Sequence, residues 1–143
     1  MQVKIKQIEG ITFVGKADSN HWVTMDGPKN FSGSEAASRP MELLLLSLGG
    51  CTASDVASIL TKKRVDIKKF EINLNAERAE EHPKIFTKIH MEYIFTGNNI
   101  KKDDIERAID LSQNKYCSVS AMLNKTVDIT NSYKINDMSI NNK

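Results

Sequence analysis

The fold is decided by residues 40–63, which read PMELLLLSLGGCTASDVASILTKK. Ser38 precedes the stretch as a helix-capping residue, and Pro40 stands in the first turn, where its missing N–H costs nothing. The stretch is apolar around most of its circumference, and its basic end suits the negative end of a helix dipole. The sequence therefore predicts a long buried helix, of the kind found at the centre of a protein or of an oligomer.

β-Rich segments flank this helix on both sides. Before it, turn residues separate three short apolar runs, which predict an antiparallel meander over residues 3–8, 11–14 and 22–25. After it, segments at about 65–79 and 84–96 predict a hairpin, and the odd positions of the second segment, from Ile85 to Phe95, face the core. Two helices, beginning near Asp103 and Ser118, and a strand at about 127–133 complete the order.

This order does not alternate strand and helix, so it predicts the α+β class with antiparallel sheet around the long helix. The 143 residues suffice for one domain, which we place at 1–135, and the polar residues 136–143 are expected to form a frayed tail. The rest of the chain offers little to cover so apolar a helix. We therefore expect a homodimer in which the long helices of two subunits lie against each other.

Composition excludes several classes of protein. Hydrophobic residues make up 40% and charged residues 27%, which is typical of a globular domain, and a formal net charge of +2 is too balanced for a nucleic-acid-binding protein. The most apolar run, residues 43–48, is far shorter than the ~20 residues of a membrane span. From the charge balance and the short apolar run we expect no nucleic-acid and no membrane partner. The start does not resemble a signal peptide, so we expect a cytoplasmic location, where thiols stay reduced.

Motifs for metals and phosphates are not recognisable. The three histidines are scattered, and neither cysteine belongs to a Cys-x-x-Cys pair. The pair Gly49-Gly50 stands alone inside an apolar run, unlike a phosphate-binding loop. The sequence predicts no metal site and no bound cofactor.

The two cysteines are the candidates for chemistry. On an unbroken helix Cys51 has Asp55 as its i+4 neighbour; alternatively the two glycines end the helix, and Cys51 begins a new one. Cys117 lies between two predicted helices, at the N-terminus of the second, where a thiolate is favoured. Each cysteine also has a structural interpretation, as a small buried residue or as an inert thiol at a helix junction. Since 66 residues separate them, spacing cannot show whether they meet.

Three segments together resemble the OsmC/Ohr family: PMELL at 40–44, LGGCT at 48–52 and YCSVS at 116–120. The order of elements is similar as well, over about residues 1–135. The resemblance implies an intertwined homodimer with two active sites at the subunit interface, and no metal, haem or flavin. It also implies a thiol peroxidase that reduces organic hydroperoxides in oxidative-stress defence, with Cys51 as the peroxidatic cysteine, Cys117 as the resolving cysteine and a dithiol, such as a lipoyl group, as reductant.

The residues that would activate Cys51 depart from the family pattern. A peroxidatic thiol needs a neighbouring cation, and Arg39 is the candidate, although it directly precedes Pro40 instead of standing in the N-terminal strands. Glu42 is the candidate acid. In the family pattern the acid directly follows the proline, and Met41 occupies that position here. On an unbroken helix Glu42 points away from Cys51. The structural alternatives are a solvated loop charge for Arg39 and a first-turn acid that complements the helix dipole for Glu42.

Two other classes of function stay open. One is a dimer that kept the fold, lost efficient turnover and binds a hydrophobic small molecule; it would tolerate Cys51→Ser. The displaced Arg39 and Glu42 favour it. The other is a structural or interaction protein, which would show neither ligand uptake nor thiol reactivity.

Overall fold

The structure, a computed structural model, describes residues 1–138, and residues 139–143 lie outside the described part. The elements follow the predicted order: β1 (Lys4–Glu9), β2 (Thr12–Lys16), β3 (Trp22–Met25), α1 (Pro40–Lys62), β4 (Asp66–Arg78), β5 (Phe86–Asn98), α2 (Lys102–Leu111), α3 (Ser118–Leu123) and β6 (Asp128–Asp137). The described residues divide into two compact units, one of residues 1–46 and one that begins at residue 47, and α1 contributes residues to both. The α+β class is confirmed.

The N-terminal unit contains the predicted antiparallel meander, in the order β1-β2-β3. Its register places Ile5, Gly15 and Val23 opposite one another, and therefore on the same face of the sheet. Ile5 is 57% exposed and Val23 is 45% exposed, so this apolar face is uncovered in the single chain. On the other face the ammonium groups of Lys6 and Lys16 lie over the Trp22 ring, 5.8 and 5.1 Å from its centroid.

A buried carboxylate fixes the loop that follows β3. Asp26 accepts hydrogen bonds from the Ser34 hydroxyl at 2.5 Å, from the Ala36 N–H at 3.0 Å and from the Gly27 N–H at 2.7 Å. These bonds hold the pKa of Asp26 well below its ordinary value, because they favour the charged carboxylate. The loop that leads to α1 is thus organised around one anion.

Helix α1 begins at Pro40, as predicted, and ends at Lys62. Its buried residues recur every four positions, at Leu48, Thr52, Val56 and Leu60, and thus form one stripe. The expectation of a buried helix holds for this stripe only, since Leu46 is 63% exposed. By length and composition α1 could also cross a membrane, with a mean hydropathy of 1.7 over 18 residues. One such helix is weak evidence for a membrane span, because the core helix of a soluble protein can be as long and as apolar.

The C-terminal unit contains the second sheet, in the order β4-β5-β6. β4 and β5 pair antiparallel and confirm the hairpin. β5 and β6 pair in parallel, so the prediction of purely antiparallel sheet is wrong at this pair. The reason is the crossover through α2 and α3, which returns the chain to the end at which β5 began.

Strand β5 supplies the core of this unit. Ile89, Met91, Tyr93 and Phe95 are all 0% exposed, as the period-two pattern predicts. The prediction is wrong at the start of the strand, where Phe86 is buried and Ile85 is 47% exposed. A register shift opposite Arg78 changes which face these residues occupy.

The last elements differ from the prediction in their boundaries. α2 begins at Lys102, after an N-cap residue, Lys101, whose side chain makes no capping hydrogen bond, so a capping box led by Asp103 is not formed. β6 includes Asn136 and Asp137. Because these two residues are polar, the sequence predicts them in the frayed tail instead. The rest of the predicted tail lies mostly outside the described residues.

Candidate active site

Cys51 lies within α1, because the helix continues through Gly49 and Gly50. The alternative in which the glycines end the helix is therefore wrong, and Cys51 is not at a helix N-terminus. Asp55 follows one turn later, so its carboxylate and the Cys51 sulfur project from the same side of α1. Thr52, the next residue after Cys51, is fully buried.

Cys117 is brought to α1 by an irregular turn. Residues Ser112–Tyr116 form a π-helical turn directly after α2, closed by a 2.8 Å hydrogen bond from the Cys117 N–H to the Ser112 carbonyl. Cys117 then caps α3, as predicted, and its sulfur accepts the Ser120 N–H at 3.4 Å. The side chain is almost fully buried, at 2% exposed.

The two sulfurs converge on one place. The Cys51 sulfur, the Cys117 sulfur and a carboxylate oxygen of Asp55 all lie within 4.8 Å of one another, and both cysteines are free thiols. We call these three residues the thiol cluster. The Thr52 hydroxyl donates to the Cys117 sulfur at 3.4 Å. The Ser112 hydroxyl donates to the Asp55 carboxylate at 3.1 Å, so the π turn orients the acid as well as the cysteine.

The surroundings of the two thiols act in opposite directions. Burial raises the pKa of Cys51. The hydrogen bond shared with Cys117 raises it further, as do the negative charges of Cys117 and Asp55. A hydrogen bond from the Val119 N–H lowers it, but by less than these effects raise it. Burial alone would also raise the pKa of Cys117. Hydrogen bonds from Ser120 and Thr52 outweigh this effect, and the pKa of Cys117 lies below its ordinary value. Within the C-terminal unit, negative charge is therefore better accommodated on Cys117 than on Cys51.

A buried polar contact supports the cluster from the sheet. The Gln113 amide, in the π turn, donates to the Tyr93 hydroxyl at 2.8 Å and to the Met91 sulfur at 3.4 Å. Burial raises the pKa of Tyr93 to about 12, and the charge of Cys117 adds to this shift. The π turn is thus tied both to α1, through Ser112, and to β5, through Gln113.

The other two predicted site residues lie in the N-terminal unit. Glu42 accepts the Arg39 N–H at 2.9 Å, across the first turn of α1. This bond is typical of a carboxylate that satisfies an unpaired N–H at a helix start, which is the structural alternative for Glu42. Both side chains are exposed. The sequence prediction thus identified the two cysteines that meet, whereas the roles of Arg39 and Glu42 stay predictions.

Sequence reasoning missed the three buried residues that hold the cluster, Thr52 and Ser112 through their hydroxyls and Ser120 through its N–H. Thr52, Ser112 and Ser120 are each at most 1% exposed. Ser120 stands in the YCSVS segment, and its place near the start of a predicted helix could have suggested it. The contacts of Thr52 and Ser112 depend on the meeting of α1 with the π turn, for which the sequence carries no local signal.

The comparisons with known proteins identify the family of this chain. The family model described as OsmC-like protein matches residues 32–132, which include both cysteines. Protein YhfA of Escherichia coli K12 is 48% identical over 135 residues, which cover 94% of this chain and 98% of that protein. The chain therefore belongs to the OsmC-like family.

Solved structures extend the likeness to the whole fold. A hypothetical protein from Aquifex aeolicus VF5 is 34% identical with a TM-score of 0.82, over 94% of each chain. An organic hydroperoxide resistance protein, OsmC, from Legionella pneumophila has a TM-score of 0.67 over 94% of this chain and 97% of that one. At 13% identity this second likeness shows the shared fold alone.

Proposed function

We propose that the protein is a cysteine-based thiol peroxidase that reduces organic hydroperoxides, with Cys51 as the peroxidatic and Cys117 as the resolving cysteine. The convergence of two free thiols within 4.8 Å carries this proposal. The name of the Legionella relative, organic hydroperoxide resistance protein, supports the substrate class. A cytoplasmic location is part of the proposal, since the reaction needs both thiols reduced.

The chemistry proceeds in three steps. The Cys51 thiolate attacks one peroxide oxygen, the O–O bond breaks, and the alkoxide takes up a proton and leaves as an alcohol. Cys117 then attacks the sulfur of the Cys51 sulfenic acid, an S–S bond forms, and water leaves. A dithiol reductant opens this disulfide by exchange, gives two electrons and two protons to the Cys51 and Cys117 thiols, and leaves as its own disulfide.

Accessibility supports this division of roles. Cys51 is half-buried, whereas Cys117 is 2% exposed and is held by Thr52 and Ser120. A peroxide must reach the first sulfur, while the second needs only to reach the first. The raised pKa of the Cys51 thiol means that this role requires a cation, and we propose Arg39 for it.

The proposed enzyme is a homodimer, with Cys51 activated in each subunit. The uncovered apolar face of the meander, with Ile5 and Val23, and the exposed Leu46 on α1 support this assembly. Exposed apolar side chains that share one face of a small domain are typical of an interface.

The test follows the oxidation of thiols by cumene hydroperoxide. In the wild type we expect loss of both thiols and a Cys51–Cys117 disulfide, identified by peptide mass spectrometry. In Cys117→Ser, Cys51 should stop at a sulfenic acid that a dimedone-type reagent captures. In Cys51→Ser, Cys117 should react no faster than free cysteine. A wild-type protein whose thiols are oxidised no faster than free cysteine would overturn the proposal.

The role of Arg39 is tested by Arg39→Ala, which should slow the oxidation of Cys51 by at least about tenfold, since a cation is required for thiolate formation at neutral pH. Arg107→Ala is the matched control, because Arg107 pairs with Asp110 on the exposed side of α2. Equal rates in both variants would exclude Arg39 as the activating cation.

A second function is favoured by one observation, the raised pKa of the Cys51 thiol. A protein whose Cys51 stays protonated could serve as a dimer that binds a hydrophobic small molecule without turnover. Its signature is retained ligand binding in Cys51→Ser together with slow oxidation of the wild type.

A further inference from the structure

The thiol cluster has the composition of a metal site. Cys51 and Asp55 stand one turn apart on α1, an arrangement that presents two ligands to one ion, and Cys117 adds a second sulfur from the start of α3. The three donor atoms lie within 4.8 Å of one another. In a tetrahedral zinc site with ordinary bond lengths, two ligand atoms are roughly 3.5–3.8 Å apart. Side-chain adjustments of about 1 Å are therefore enough to close this cluster around an ion.

The geometry points to a binding site for a thiophilic divalent cation such as Zn²⁺, with the sulfurs of Cys51 and Cys117 and one carboxylate oxygen of Asp55 as ligands. The fourth coordination position is left to water or to a small ligand. Sequence spacing could not reveal this site, because 66 residues separate its two sulfurs.

The groups around the cluster already make the contacts that hold metal ligands in place. Thr52 and the Ser120 N–H donate to the Cys117 sulfur, and Ser112 donates to the Asp55 carboxylate. Hydrogen bonds of this kind orient ligands and commonly alter metal affinity by about 10- to 100-fold. Thr52 and Ser112 are fully buried, so their positions are fixed by packing.

Charge supplies an independent argument. Two thiolates and a carboxylate so close together repel one another, and the described residues 47–138 place no lysine or arginine in an ion pair with Asp55. A divalent cation would offset two of these three negative charges and displace the protons of the two thiols, so that both sulfurs bind as thiolates.

This inference goes beyond the proposed peroxidase. An ion bound to both sulfurs prevents the disulfide from forming, so the cluster holds either a cation in the reduced protein or a disulfide in the oxidised one. Peroxide reactivity of the metal-free protein is a separate measurement. A failure of metal binding and a failure of the peroxidase are therefore distinguishable.

The experiment titrates the reduced, chelator-treated full chain with Co²⁺, whose thiolate-to-metal charge-transfer absorption reports sulfur ligands. We expect one Co²⁺ per chain, displaced by one Zn²⁺. Cys51→Ser and Cys117→Ser should each weaken the charge-transfer band. Asp55→Asn should lower the affinity by at least tenfold, and Ser112→Ala by about tenfold or more. The matched control is Asp110→Asn, an exposed carboxylate on α2 that should leave the affinity unchanged.

The oxidised wild type provides a test that needs no substitution. Conversion of the two thiols to a disulfide should abolish Co²⁺ binding, and reduction should restore it. Circular dichroism of each variant separates loss of a ligand from loss of the fold. The proposal is overturned if Co²⁺ gives no charge-transfer band with the reduced wild type, or if a correctly folded Asp55→Asn protein binds as tightly as the wild type.

Discussion

The two three-stranded sheets of this protein differ in how much of their apolar surface the chain covers. In the C-terminal sheet, β5 carries four consecutive inward residues that are 0% exposed. In the N-terminal meander, every residue of β1 is exposed, including Ile5. Sequences with a similar apolar pattern thus have different environments in the single chain. The difference indicates that β5 belongs to a complete core, whereas the meander offers a surface for another molecule.

The largest expected effect comes from breaking the complete core. Phe95→Ala removes a fully buried ring that stacks on Phe70 with centroids 4.6 Å apart. We expect it to lower the free energy of unfolding by about 3–5 kcal/mol, the usual cost of a cavity of that size. Urea unfolding followed by circular dichroism measures this. A loss below ~1 kcal/mol would mean that the stacked rings are not the core of this unit.

The uncovered face of the meander is tested by Ile5→Asp, which places a charge where the proposed dimer would bury an apolar residue. We expect the dimer dissociation constant to rise by at least about tenfold, because a desolvated unpaired charge costs well over 1.4 kcal/mol. Sedimentation velocity over a range of concentrations measures the change. Thr24→Asp is the matched control, since the register places Thr24 on the opposite face. If both variants stay equally dimeric, the apolar face is not an interface.

The loop after the meander should respond to acid. Because the pKa of Asp26 is lower in the folded than in the unfolded state, its contribution to stability is complete above the unfolded pKa of about 3.9 and is lost as the pH falls further. Asp26→Asn should therefore lower the melting temperature at neutral pH, and its difference from the wild type should shrink as the pH falls below about 4. Thermal melts between neutral and acidic pH show this. A constant difference would contradict the assignment.

A smaller effect is expected from the contact between β5 and the π turn. Tyr93→Phe removes the hydroxyl that accepts the Gln113 amide, at a cost of about 1 kcal/mol, the typical net value of one hydrogen bond. Equilibrium unfolding in urea measures it. Tyr133→Phe is the control, because its partner, Glu106, is exposed, and it should cost less. Equal losses of unfolding free energy would show that the Gln113–Tyr93 bond stabilises the fold no more than the exposed Tyr133–Glu106 bond.

Tyr93 also predicts a titration at high pH. Its pKa of about 12 lies above the ordinary value of ~10, so the folded protein keeps a proton that the unfolded chain releases. Stability is therefore complete below pH ~10 and is lost as the pH rises towards 12. Tyrosinate absorbance should show one residue that titrates only with unfolding.

Local patterns predicted the elements of this fold, and tertiary contacts decided what the patterns left open. The helix over residues 40–63, the meander and the period-two core of β5 follow from residue types alone. The parallel pairing of β6 could not be read from its own residues, because it depends on the path of the chain through α2 and α3. The exposure of Ile85 and burial of Phe86 were missed for a similar reason, since the register shift at Thr87 shows only in the pairing of β5 with β4.

The candidate site divides in the same way. The GGCT and YCSVS segments identified Cys51 and Cys117, and the resemblance to a family predicted that they meet. Asp55 was recognised as a neighbour of Cys51 from helical spacing, but its bond to Ser112 was not, because that bond joins two elements. The lowered pKa of Cys117 likewise arises from Ser120 and Thr52 together, and one of these donors lies 65 residues away in the sequence.

The π turn at Ser112–Tyr116 makes the thiol cluster sensitive to the number of residues in the chain. Its five residues determine the direction in which Ser112 projects after α2 and the position of Cys117 at the start of α3. Deletion of one residue there would convert the turn to ordinary helical geometry and rotate the start of α3 by about 100°. Every side chain of the thiol cluster would still be encoded, yet the second sulfur would no longer face the first. Variation that preserves this chemistry must therefore exchange residues within the turn and leave its length intact.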